Sequence, residues 1–180
     1  MRLVARKIIL SCAILAVLLY PECFSATTEY SLEYKVKAAY VYKILKFVSW
    51  PEDHNDSELH VVVCLLGNGN LVNILDPEHG LPHHESNIEI KTIDADHLQT
   101  GCAVAVIGTS ESWHLKKILD SVNRMNVLTI SDIPEFPRRG GIIGFRIESG
   151  KVRLEINNGQ AKKSGIQLSS KLLEVASVIN

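Results

Sequence analysis

Four groupings of side chains in this sequence have the types that chemistry uses. Gly108-Thr109-Ser110-Glu111-Ser112 follows an apolar run, where a nucleophilic serine would sit. Gly67-Asn68-Gly69-Asn70 ends another such run, where free backbone N–H groups could hold an anion. His79, His83 and His84 share a loop with flanking acids, and Asp132 and Glu135 form a possible acid pair. Each weakens on inspection. A nucleophile elbow needs GxSxG, but position 112 is Ser, and no His and Asp can be assigned as partners from spacing. Ser110 or Ser112 therefore reads better as the cap of a helix over Trp113–Asn123, whose Leu115, Ile118, Leu119 and Val122 recur at helical spacing. Val72 stands where a third glycine of GxGxxG belongs, which favours a plain tight turn. Nothing fixes the geometry of the histidines, beside Gly80 and Pro82, so a solvated loop is expected there. Pro134, between Asp132 and Glu135, makes that pair a turn signature as well as an acid pair. The expectation is a protein that is not an enzyme, without a metal or cofactor. Hydrolase and small-molecule-binding readings are its rivals.

The first 25 residues differ from the rest. Arg2, Arg6 and Lys7 precede an apolar core, Ile8 to Leu19, and Cys23 and Ser25 are small residues at signal-peptidase spacing. The core is shorter than the ~20 apolar residues a permanent span needs. A cleaved leader (1–25) and an exported domain (26–180) are expected, a retained anchor being the alternative. Loss of the leader takes the formal charge from −1 to −3, which gives no electrostatic case for nucleic acid. Only Cys64 and Cys102 then remain, an even pair in an oxidising compartment, and a disulfide is the natural reading. Two buried thiols are the alternative.

A scaffold for these loops can be read in order. Glu33–Val48 carries apolar residues on two helical stripes, and the helix must stop at Trp50 because Pro51 follows. Leu59–Leu66 and Cys102–Ile107 are continuous apolar runs that suit strands covered on both faces, with a short helix over Leu71–Leu75 between them. Asn87–Ile93 alternates as an edge strand does. Val127–Ile130 is a further buried strand. Ile142–Glu148 and Val152–Ile156, joined at Ser149-Gly150, form a hairpin expected to give the sheet an antiparallel edge. Helices over Asn158–Ser164 and Ser169–Ile179 close the chain, with Gly165 at a C′ position between them. The alternation predicts one α/β domain, a three-layer α/β/α sandwich with a mixed sheet and a C-terminal antiparallel hairpin.

Several separated signatures carry a resemblance. Tyr34-x-Val36-Lys37-Ala38-Ala39-Tyr40, then Lys46-Phe47-Val48-x-Trp50-Pro51, and later Arg138-Arg139-Gly140-Gly141 and Glu155-Ile156-Asn157 resemble the YfiR family of periplasmic proteins, over Tyr34 to Ile179. The resemblance implies a disulfide between Cys64 and Cys102. It also implies a homodimer that represses a membrane-bound diguanylate cyclase through the cyclase's periplasmic portion. Cyclic di-GMP and biofilm formation then stay low, and an outer-membrane lipoprotein relieves the block. A second disulfide that the best-known member of the family has in the region of Phe136 to Phe145 has no cysteine to form it here. An arginine before Trp-Pro, and an arginine and a histidine near the C-terminus, would surround a small-molecule pocket; those positions are Ser49, Gln167 and Ser169 here. The partner contacts expected are an apolar patch at Leu168 and Leu172, with Trp50 or the Arg138-Arg139 loop at its rim. A solvated Arg138-Arg139 loop, one arginine pairing Glu135, is the alternative.

Overall fold

The run Val61-Val62-Val63-Cys64-Leu65-Leu66 has no polar position to give to solvent, so a strand made from it must be covered on both faces. The computed structural model describes residues 31–51, 60–78, 80, 87–94, 101–122 and 125–179. The expected leader and the loop of His79, His83 and His84 lie outside them. In chain order come α1 (Leu32–Leu45), β1 (Val48–Ser49), β2 (Val61–Leu66), α2 (Asn70–Leu75), β3 (Ile88–Ile93), β4 (Val104–Ile107), a 3-10 turn (Thr109–Trp113) and α3 (Leu115–Val122). There follow β5 (Leu128–Ser131), β6 (Ile143–Glu148), β7 (Lys151–Asn157), α4 (Asn158–Lys163), β8 (Gln167–Leu168), α5 (Ser170–Glu174) and β9 (Ser177–Ile179).

One sheet runs β3-β2-β4-β5-β6-β7-β9, and β1 pairs with β8 in a separate ribbon. Strands β3 to β6 are mutually parallel, β7 is antiparallel to β6, and β9 is parallel to β7. The period of two along each strand divides the apolar runs between two cores. Val61, Val63, Leu65, Val104, Val106, Leu128 and Ile130 face α1 and α2. Cys64, Leu66, Ala105 and Ile107 face α3, Ile133 and Phe136. This is the expected α/β sandwich with a mixed sheet.

Three local expectations need correction. Helix α1 ends at Leu45 rather than near Trp50, because Val48 and Ser49 turn extended to pair with Leu168 and Gln167. The helix expected over Trp113–Asn123 starts at Leu115, after the 3-10 turn, and the hydroxyls of Ser110 and Ser112 are engaged elsewhere. The closing helix breaks after Glu174, and Ser177–Ile179 adds to β7 instead. The hairpin is therefore not the edge of the sheet. An unpaired β7 would present a row of free backbone groups, and β-branched Val178 and Ile179 suit the strand that covers them. The hairpin turn itself is as read: Ser149 and Gly150 both take positive φ, 50° and 72°, the geometry that matches the strands' twist.

Candidate functional site

Strands β2, β4 and β5 finish at one end of the sheet, its carboxyl end. The chain leaving β2 goes to one face and the chain leaving β4 to the other, since α2 and α3 belong to different cores. Such divergence opens the crevice where doubly wound proteins bind ligands. Here the two loops fill it themselves. The Asn68 N–H donates to Ser110 Oγ at 2.8 Å, and the Ser110 N–H donates back to the Asn68 carbonyl at 3.1 Å. Gly108 lies so close that a Cβ on it would overlap the Asn68 carbonyl. Gly67–Asn70 is thus a turn satisfied by its neighbour, as the missing third glycine suggested. The Ser110 hydroxyl donates to Glu111 Oε1 at 3.0 Å, and Glu111 Oε2 stands 3.7 Å from His114 Nδ1. That order puts a carboxylate, not an imidazole, against the hydroxyl, which is not the Ser-His-Asp order.

The Arg138-Arg139 loop reaches this end after β5, and the two guanidinium groups separate. Arg138 Nη2 lies 3.3 Å from Glu155 Oε1 on β7. Arg139 donates to the Ser112 carbonyl at 2.7 Å and to Ser112 Oγ at 3.2 Å. Among the described residues Arg138 meets Glu155 rather than the expected Glu135. The loop is anchored by the ring of Phe136, fully buried in the second core, and by Asn157, whose amide donates to the Pro137 carbonyl at 2.9 Å. Beyond Ser112, Trp113 stands 94% exposed, the barest large apolar side chain among the described residues.

Sequence reasoning missed the tightest polar group of this end. Lys37 on α1 is 6% exposed at its side chain, and its Nζ lies 2.6 Å from Glu33 Oε1 and 3.1 Å from Asp132 Oδ2, whose side chain is 4% exposed. The ammonium also stands 4.5 Å from the centroid of the Tyr34 ring. Burial opposes the charge more than any other single influence. The hydrogen bonds and charges of Glu33 and Asp132 together outweigh it and hold the Lys37 pKa above its ordinary 10.5. The i,i+4 spacing of Glu33 and Lys37 was readable, but the carboxylate 95 residues away was not. Asp132 Oδ1 is buried with no hydrogen-bond partner. Next to this pair a cleft of about 580 Å³ is walled by Lys37, Asp132, Glu135, Arg138, Phe145 and Ile147, among others.

Trp50 and Leu168 occupy the opposite end. The Trp50 indole N–H donates to the carbonyl of Ala103, just before β4, at 3.2 Å. Leu168 pairs with Val48, and Ser49 pairs with Gln167. Ser169 N–H donates to the Phe47 carbonyl, so Ser49, Gln167 and Ser169 do come together, but as neutral groups. Leu172 is buried in the first core, while Val175 and Val178 near it are exposed. The five expected partner contacts thus fall at two places, Arg138 and Arg139 at one and Trp50, Leu168 and the buried Leu172 at the other.

Cys64 and Cys102 are joined by a disulfide, with Cα atoms 5.8 Å apart. It ties β2 to the segment entering β4, beside the Ala103 N–H to Val62 carbonyl bond. Among the described residues no three His, Cys, Asp or Glu side chains form a group that could hold a metal ion, and no helix is long and apolar enough to cross a membrane. A family model described as YfiR/HmsC-like matches residues 34–177. No curated protein matches the chain.

Proposed function

The chain belongs to the YfiR/HmsC-like family, whose members are periplasmic regulators of diguanylate cyclases rather than catalysts, and on that premise we propose that this protein is exported and holds such a cyclase in its off state. It binds the periplasmic part of the inner-membrane enzyme, so cyclic di-GMP and biofilm formation stay low. An outer-membrane lipoprotein competes for it, and it acts as a homodimer. The observation that carries this reading is the family match across residues 34–177. Repression requires tighter binding to the inactive than to the active cyclase, since a ligand shifts an equilibrium only by that difference.

The candidate contacts are Arg138 and Arg139 at the carboxyl end, and Trp50 and Leu168 at the other, with Leu172 acting from the core beneath the closing helix. The pocket chemistry expected at Ser49, Gln167 and Ser169 lacks its cations, which disfavours the same ligand class there. The direct test is a pull-down from membranes with the mature protein. A transmembrane cyclase is expected to co-purify, and cyclic di-GMP is expected to rise when the protein is removed from its host. Membranes that yield no cyclase, together with unchanged cyclic di-GMP, overturn the reading. Within it, exchanging Arg138 and Arg139 for Glu should relieve repression; unaltered repression removes that loop from the footprint.

A further inference from the structure

Strand β6 outruns its neighbour. Its pairing with β5 covers only Ile130 with Ile143 and Ser131 with Gly144, while its pairing with β7 continues to Glu148 with Lys151. The Asn157 N–H donates to the Ile142 carbonyl, which puts the even-numbered backbone groups of β6 toward β7. The odd-numbered ones therefore face β5: the Phe145 N–H meets the carbonyl of Ser131, the last residue of β5, and beyond it the Phe145 carbonyl and the Ile147 backbone face the line that β5 has left. Both residues line the 580 Å³ cleft, with Asp132, the residue after β5, at its floor. Asp132 adds a buried acceptor, Oδ1, without a donor, and Ile147 adds a half-exposed apolar side chain.

We propose that this cleft is a strand-addition slot: an extended segment of a partner protein continues the line of β5 beside Phe145–Ile147. Backbone groups would give affinity by pairing with the free edge, and alternate side chains of the segment would give selectivity. Hydrogen-bond donors and acceptors at strand spacing favour a polypeptide over a small molecule, which has no need of that spacing. The charges agree with a segment of little net charge, because Lys37, Arg138 and Arg146 are each already met by a carboxylate. The identity of the partner rests on the regulatory reading above, but the slot itself does not.

The test selects a phage-displayed library of random octapeptides on the mature, disulfide-bonded protein. Selected peptides are expected to slow amide exchange at Ile147, and to bind Ile147→Pro about tenfold or more weakly, as loss of an edge hydrogen bond plus ring crowding demands. Proline at 147 spares the even-numbered bonds to β7. Should that variant unfold, Ile147→Lys, at a half-exposed side chain, keeps the question open to measurement by placing a charge on the edge. Failure to select any peptide, or equal binding to both variants, overturns the slot. So does a small molecule, and not a peptide, protecting that amide. Cyclic di-GMP measured with the exported wild-type protein and Ile147→Pro separates the two claims. A wild type that fails to repress sinks the regulatory reading while peptide binding still decides the slot; a folded Ile147→Pro that represses fully overturns the slot as the repressing contact.

Discussion

Trp50 and Arg139 brace opposite ends of the same central strand. The indole N–H of Trp50 donates to the Ala103 carbonyl just before β4, at 3.2 Å, and Arg139 donates to the Ser112 carbonyl in the 3-10 turn that follows it, at 2.7 Å. One small footprint does not cover both, so a partner either clasps the sheet along its length or uses one end.

The two anchors should separate in stability as well. Trp50→Phe keeps the packing against the first core but removes one of two donors to the Ala103 carbonyl, which keeps the Leu128 N–H, for a loss of about 1 kcal/mol. Arg139→Ala removes contacts of an exposed side chain and should change stability by less than ~0.5 kcal/mol. Urea denaturation of both variants checks the order. A larger loss at Arg139 would mean that the loop, not the indole, secures this strand.

The chain has two tryptophans, which makes the surface directly visible. In Trp50→Phe the remaining emission comes from Trp113, 94% exposed, and should be red-shifted and fully open to iodide. In Trp113→Phe it comes from partly buried Trp50 and should be bluer and poorly quenched. Equal quenching of the two variants contradicts the placement of Trp113.

Removing one member of a buried ion pair strands the other. Lys37→Met leaves Asp132 without its cation, and ~3–5 kcal/mol of stability should go with it. Lys37→Met with Asp132→Leu together should lose much less. The pH dependence has a definite sign: with its folded pKa raised above 10.5, Lys37 contributes fully at neutral pH, and that stability is lost only as pH climbs through the raised value. The stability of wild type relative to the double variant should therefore fall as pH climbs above 10.5. A difference that stays constant there would show that the ammonium is not what the pair depends on.

Sequence and structure agree where the local pattern decides. The run Val61–Leu66 had to be a two-sided strand, and Ser149-Gly150 had to turn the hairpin, because no other arrangement satisfies those residues. The closing segment misled because Leu168, Leu172, Leu173, Val175, Ala176 and Ile179 fit a helical stripe equally well. What breaks the tie is the open edge of β7, a feature 20 residues earlier that no local window contains. The candidate site divides in the same way. Cys64 and Cys102 could be paired by counting, whereas Lys37 looked like one of four lysines on a helix until Asp132 was found behind it.

The disulfide should matter most to the outer strand. It closes a loop of 37 residues that contains α2 and β3, and on the chain-entropy model its loss costs ~3–4 kcal/mol. Cys64→Ser with Cys102→Ser is expected to lower the unfolding free energy by that amount and the denaturation midpoint with it. Amide exchange in β3, which pairs only with β2, should accelerate before exchange in β5 does. An unchanged midpoint would mean that the reduced, unfolded chain is already as constrained as the oxidised one.

The Arg138-Arg139 loop is held by a steric fit that a double-mutant cycle can measure. Gly141 packs against the face of Phe136, and a Cβ there would overlap the ring, which is fully buried and has nowhere to go. Gly141→Ala should therefore cost ~1–3 kcal/mol, the usual range for overpacking a full core. Phe136→Leu alone creates space and is also destabilising. In combination the new methyl group moves toward that space, so the two losses should fall short of additive by ~0.5–3 kcal/mol, the range found for residues in contact. Strict additivity would show that Gly141 and Phe136 do not share the fit. The seat of Arg138 and Arg139 would then rest on their own bonds to Glu155 and Ser112 and on that from Asn157 to the Pro137 carbonyl.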